Sequence, residues 1–81
     1  MDNNIEDRIK NVLSVVFEIL AKDIDNNSSP DSIGSWDSLK HMNMVVALEE
    51  EFEIEFSDDE IIEMMNYRLI REITTSKLNN I

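Results

Sequence analysis

Trp36-Asp37-Ser38-Leu39 runs without a break into Lys40-His41-Met42-Asn43-Met44-Val45-Val46-Ala47-Leu48-Glu49-Glu50-Glu51, and this stretch decides how the rest of the chain is read. The run after Ser38 is built from strong helix formers, and Asp and Ser are favoured where a helix begins. Ser38 therefore sits where coil becomes helix. Around its hydroxyl lie backbone N–H groups that no carbonyl of the same helix can reach, at the positive end of the helix dipole. An anion suits that position, and a phosphate esterified to Ser38 would be held favourably there. Taken alone, Asp37-Ser38 is also an ordinary helix cap ahead of an amphipathic run.

The helix that follows, Ser38 to Phe52, carries two apolar stripes. At roughly 100° per residue, His41, Met44, Val45, Leu48 and Phe52 share one side, a core stripe. Leu39, Met42 and Val46 fall nearly opposite, with Asn43, Glu49 and Glu50 beside them. Both stripes cannot face one small core. Either the preceding loop folds over Leu39 and Met42, or the second stripe is a docking surface. Methionine adapts to different partners, and the carboxylates around it would orient them.

Working outward, Ile5, Ile9, Val12, Leu13, Val16 and Leu20 recur at helical spacing, with Phe17 flanking that face and Val15 and Ile19 widening it. Asn3 or Asn4 is the expected cap, with Glu6 and Asp7 in the first turn. Breakers crowd Asp23 to Trp36 and predict a loop of about a dozen residues, anchored by Ile24, Ile33 and Trp36. Glu53-Ile54-Glu55-Phe56 alternates polar and apolar but has no partner strand in view, so it reads as an extended link. Ser57 with Glu60 forms a capping box for a short helix reaching about Met65. Asn66 is a plausible cap for a last helix carrying Leu69, Ile70 and Ile73. The expectation is all-α: one domain over residues 1–81, a small four-helix bundle of three longer helices and one short one, with a long loop between helices one and two.

The formal net charge is −11. Residues 37–63 hold ten acids and a single base, Lys40, so that segment alone carries −9. Nucleic acid is a poor partner for such a field, and basic patches on other proteins are good ones. Acidic surfaces also simply keep small proteins soluble. There are no cysteines, which removes disulfides, thiolate nucleophiles and zinc–cysteine clusters. Asp23-x-Asp25-x-Asn27 begins like a calcium loop but has Ser28 where the glycine belongs and Gly34 where the bidentate glutamate belongs. No metal site is expected. His41 lies one turn from Ser38, so a Ser–His pair is conceivable, but 81 residues leave little room for a substrate pocket, and no catalytic residue is assigned. The first residues are polar and acidic, unlike a signal peptide, and no apolar run is long enough for a membrane span. A monomeric, cytoplasmic protein is expected.

Asp37-Ser38-Leu39 followed by Met44-Val45-Val46-Ala47-Leu48-Glu49-Glu50-Glu51-Phe52-Glu53-Ile54-Glu55-Phe56-Ser57-Asp58 closely resembles the acyl carrier protein family, over most of the chain from about Ile5 to Ile73. The resemblance implies a carrier, not an enzyme. Ser38 would receive 4′-phosphopantetheine from coenzyme A through a magnesium-dependent phosphopantetheinyl transferase, and the arm's thiol would hold acyl groups as thioesters. By the same likeness Asp37 and Leu39 would be read by the transferase. Met42, Val46, Glu49 and Glu50 would meet an acyl-loading ligase or transferase and acyl-processing enzymes with basic docking patches.

Three features depart from the family pattern. Ser35 stands where glycine is frequent, with Gly34 one earlier and Trp36 beside the aspartate. Lys40 and Asn43 occupy positions commonly acidic in carriers of fatty acid synthesis, which points to a specialised pathway instead. Tyr67-Arg68 leaves the register of the last helix open. Two rivals stand beside an acyl carrier: an aminoacyl or peptidyl carrier using the same arm, and an unmodified acidic interaction module.

Overall fold

A computed structural model describes residues 2–79, with side chains from residue 5 onward. Its helices are α1 (Asp2–Phe17), α2 (Ser38–Phe52), α3 (Asp58–Glu63) and α4 (Tyr67–Asn79), with a 3-10 turn at Ala21–Asp23 between the first two. Among the described residues there is no strand, and no helix is long and apolar enough to cross a membrane. Three longer helices, one short one and a long first connection match the architecture expected from the sequence.

Helix α1 presents Ile9, Leu13 and Phe17 to the core at four-residue spacing, with Ile5, Val12 and Val16 packed at the edge. Four expectations for this helix are corrected. Phe17 is central to the core face rather than flanking it. Leu20 is 59% exposed and Val15 77% exposed, so neither belongs to that face. Val15, inside α1, points away from Leu13 and Phe17, about 200° round the helix from each; for Leu20 the reason is the helix end, where Glu18 turns left-handed at φ 58° and the N–H of Ile19 reaches back to the Ser14 carbonyl. The helical period stops there, two residues before Leu20. Nor do Asn3 and Asn4 stand at the start, because the helix already runs at Asp2; side chains of residues 2–4 lie outside the described residues.

Helix α2 begins and ends where the sequence predicts. Its end repeats the device of α1: Glu53 takes φ 56°, and the N–H of Ile54 bonds to the Glu49 carbonyl. Glycine normally fills this left-handed position, and the sole glycine of the chain is elsewhere, at Gly34. Residues 54–57 then run as an extended link that buries Phe56.

The capping box of α3 is complete. The Glu60 N–H donates to Ser57 Oγ at 3.2 Å, and the Ser57 N–H donates to Glu60 Oε1 at 2.8 Å. That backbone donor, with the ammonium of Lys77 3.0 Å away, holds the Glu60 carboxyl below its ordinary range. The helix is shorter than expected, ending at Glu63; Met64 leaves it to fill the core and is 0% exposed.

Asn66 caps α4 as expected, its Oδ1 accepting from the Leu69 N–H at 2.8 Å. The register follows Tyr67, Ile70 and Thr74, all buried, whereas Leu69 and Ile73 are only half-buried. Tyr67 thus settles the register that the sequence leaves open. Its hydroxyl is buried without a hydrogen-bond partner among the described residues. Burial, with a smaller push from Glu6, raises its pKa, and Arg71 opposes the rise.

The long connection is fastened along its length. Ile24 and Trp36 are buried and Ile33 packs against the core, the three expected anchors. Asp25, part of the failed calcium pattern, shapes the loop instead. Its Oδ1 accepts from the Asn27 N–H at 2.9 Å, and its own N–H donates to Ser28 Oγ at 2.9 Å. The carbonyl of the buried Ser28 accepts from the Tyr67 N–H at 2.9 Å, tying the loop to the start of α4. Near the far end, Ser35 Oγ donates to the Phe17 carbonyl at 2.8 Å. These bonds bring the last turn of α1 beside the first turn of α2.

Candidate functional site

At the start of α2, Asp37 is the cap and Ser38 the first helical residue. Asp37 is extended, its Oδ1 accepts from the Lys40 N–H at 2.8 Å, and its carbonyl accepts from the His41 N–H at 2.8 Å. With the Lys40 N–H taken by the cap, the N–H groups of Ser38 and Leu39 remain at positions no carbonyl of α2 can serve. Ser38 and Leu39 are both exposed, Leu39 by 70%. An open hydroxyl at the positive end of a long helix, with unspent N–H donors around it, fits a phosphodiester.

The residue before the cap is locked. Trp36 stacks on Phe17 with ring centroids 4.7 Å apart, and it is 4% exposed. Its indole N–H donates to His41 Nδ1 at 3.0 Å, and the other ring nitrogen, Nε2, lies 2.9 Å from the Ile61 carbonyl. Because the indole can only donate, Nδ1 accepts, which assigns the proton to Nε2 and makes it the donor to Ile61. Both nitrogens of His41 are thereby spent. The imidazole is not free to act as a base toward Ser38, and the conceivable hydrolytic pair is not assembled. His41 sits at the core edge instead, half-buried.

Beside Ser38 a cleft of ≈ 430 Å³ opens between the loop, α2 and the residues after α3, with Pro30, Trp36, Met42 and Met65 among its walls. Around it, the outward stripe of α2 is uncovered: the loop does not fold over Leu39 and Met42, and Met42 and Val46 are 45% and 48% exposed. Sequence reasoning did not include Ile62 and Met65, which are 69% and 49% exposed. The signal was present, since Ile61-Ile62 and Met64-Met65 are adjacent apolar pairs around a six-residue helix, and neighbours on so short a helix cannot both face inward.

The acidic residues divide in role. Glu50 is exposed. Glu49 is half-buried, and its Oε2 accepts from the Phe56 N–H at 3.0 Å, so part of this carboxylate holds the link after α2. Glu51 is paired with Arg8 at 2.7 Å, and the Arg8 guanidinium also lies over the Phe52 ring, 4.4 Å from its centroid. Lys40, the lone base of the acidic segment, is 3.5 Å from Glu18.

A helix-capped exposed serine, a long fastened loop and an acidic helix with a second apolar stripe define a carrier-type module. The family model described as a phosphopantetheine attachment site matches residues 7–75. An acyl carrier protein of Buchnera aphidicola subsp. Schizaphis graminum is 41% identical over 58 residues, 72% of this chain and 73% of that one. One from Buchnera aphidicola subsp. Acyrthosiphon pisum is 45% identical over 58 residues, 70% of this chain and 71% of that one. The solution structure of holo acyl carrier protein from Geobacter metallireducens superposes with a TM-score of 0.83 at 28% identity, covering 93% of this chain and 86% of that one. The chain belongs to the acyl carrier protein family, whose phosphopantetheine-attachment domain takes 4′-phosphopantetheine covalently. It is a carrier and not an enzyme.

Proposed function

We propose that Ser38 is the attachment residue and that the chain shuttles acyl intermediates between enzymes of a specialised biosynthetic pathway. The observation carrying this reading is the placement of Ser38: exposed, first in α2, and held by the Asp37 cap against its neighbours. A phosphodiester there meets the unspent N–H groups of Ser38 and Leu39 and the helix dipole, favourable by roughly 0.3–1 kcal/mol. The thiol at the end of the arm supplies the reactive sulfur that this cysteine-free chain lacks.

Asp37 and Leu39 flank the serine and are the residues a phosphopantetheinyl transferase would read. Met42 and Val46 offer apolar contact to partner enzymes, with Glu50 as the freer carboxylate and Glu49 shared with the Phe56 N–H. Basic patches on those enzymes would be steered by the charge of −9 on residues 37–63. Lys40 and Asn43, basic and neutral at the start of that surface, support a dedicated partner set rather than that of housekeeping fatty acid synthesis.

The test is intact mass after incubation with coenzyme A, magnesium and a broad-specificity transferase, followed by loading with acyl ligases and, separately, amino-acid ligases. A gain of one phosphopantetheine, then of one acyl group, is expected. Loading by amino acids alone would make the chain an aminoacyl or peptidyl carrier, and no gain at all would leave an acidic interaction module.

A further inference from the structure

We propose that the hydroxyl of Ser35 is a positioning group for the priming of Ser38: it clasps the last turn of α1 and so holds the Asp37 cap, and the serine after it, in the conformation that a phosphopantetheinyl transferase takes up. The inference rests on Ser38 as attachment residue and adds how this chain presents it.

A relay of hydrogen bonds runs from the end of α1 to the start of α2, and Ser35 stands at its centre. Ser35 Oγ donates to the Phe17 carbonyl at 2.8 Å. That carbonyl belongs to the last turn of α1, where no N–H of the same helix remains to serve it. The Ser35 carbonyl accepts from the Asp37 N–H at 3.1 Å. Asp37 in turn accepts from the Lys40 N–H through Oδ1 and from the His41 N–H through its carbonyl, both at 2.8 Å. Ser38 takes part in none of these bonds; its placement follows from them. The stacked ring of Trp36 anchors the chain between Ser35 and Asp37, but burial of a ring is not directional, whereas the bond from the Asp37 N–H to Ser35 is.

The residue before the clasp has little to hold it. A Cβ placed on Gly34 would meet nothing within 4 Å, so a glycine's backbone freedom lies in open surroundings directly ahead of Ser35. Ser35 itself stands where glycine is frequent in the family, and a glycine there could not make the bond to Phe17. In priming, Ser38 Oγ bonds to the coenzyme A phosphorus that carries the pantetheine, the P–O bond to the neighbouring phosphate breaks, the adenosine bisphosphate portion departs with the electron pair, and the hydroxyl proton is lost. Ser35 touches none of those atoms. It acts on the share of carriers already in the accepted conformation. A carrier held that way only part of the time binds as though diluted by that fraction, which raises KM and leaves kcat alone.

The test compares the wild-type chain, Ser35→Ala and Ser35→Thr, which keeps the hydroxyl, as substrates for a broad-specificity transferase with coenzyme A and magnesium. Rates are taken against carrier concentration at a temperature where circular dichroism shows every variant folded. In Ser35→Ala, KM for the carrier is expected to rise by about three- to tenfold, the effect of one net hydrogen bond, with kcat unchanged. Ser35→Thr should stay near wild type. In the unmodified chain, amide hydrogen exchange at Asp37 and Lys40 should quicken in Ser35→Ala by more than at the fully buried Leu48. An unchanged KM in Ser35→Ala, an equal rise in Ser35→Thr, a fall in kcat alone, or exchange that quickens uniformly through the chain would overturn the proposal. A wild-type chain that gains no arm fails earlier, at the attachment reading. One that is primed at Ser38 while Ser35→Ala keeps the same KM removes the clasp alone.

Discussion

The two faces of α2 are built from similar side chains and meet opposite fates. Met44, Val45, Leu48 and Phe52 are at most 7% exposed, while Leu39, Met42 and Val46 are 45–70% exposed. Hydrophobicity does not separate them; position around the helix does. The inward set lies against α1, and the loop that might have covered the outward set is pinned elsewhere, at Phe17 and at the start of α4. An apolar stripe left bare on a chain of this charge is the surface the proposed docking to partner enzymes would use, and the inward stripe is what keeps it in place.

The largest expected effect lies inward. Leu48→Ala leaves a cavity at a position 0% exposed, and a loss of about 2–5 kcal/mol in denaturant unfolding is expected, enough to unfold much of a chain this small. A negligible change would mean that the two faces have been assigned the wrong way round.

The start of the helix comes next. Asp37→Ala removes the acceptor for the Lys40 N–H, and about 1 kcal/mol of stability should go with it. If Asp37 is also read by the transferase through its carboxylate, Asp37→Asn, which keeps a capping oxygen, should slow modification as well; slowing in Asp37→Ala alone would confine the residue to capping.

Smaller still is the cost of the buried phenol. Tyr67→Phe removes a hydroxyl with no partner among the described residues, so stability should hold or rise by about 1 kcal/mol or less. The pH dependence has a definite sign. The folded pKa of Tyr67 is raised, so its contribution is fully present below the unfolded phenol pKa and is lost as pH rises through the folded value. Melting temperature followed into alkali should fall less steeply in Tyr67→Phe. At the acid end Glu60 has the opposite sign: its folded pKa is lowered, and its contribution disappears as pH falls through that value, loosening the cap of α3.

The smallest expected change in stability is outward. Val46→Glu should alter unfolding by less than about 0.5 kcal/mol while weakening turnover by partner enzymes. A large loss of stability would place Val46 in the core, and unchanged turnover would remove it from the docking surface.

Much of this is legible in the sequence wherever a local signal acts alone. The bounds of α2, the capping box of Ser57 and Glu60, the anchors Ile24 and Trp36 and the two stripes all follow from spacing and end chemistry. The misreadings share a cause, which is that the deciding contact is distant in sequence or contrary to residue preference. The early stop of α1 depends on Glu18 adopting a conformation that glycine usually fills, so spacing places Leu20 on a face it never reaches. Tyr67 is fixed by Ser28 and the packing of α4, not by its neighbours. The bridge from Trp36 through His41 to Ile61 joins three separate elements, and spacing around Ser38 suggests a different partner for that histidine.

The central claim turns on the hydroxyl at the head of α2. Transferase-treated protein can be cleaved and its fragments sequenced by mass spectrometry. The phosphopantetheine mass should fall on Ser38 alone, with Ser38→Ala unmodified under the same conditions. The arm on any other residue, or an equal gain in Ser38→Ala, would contradict it.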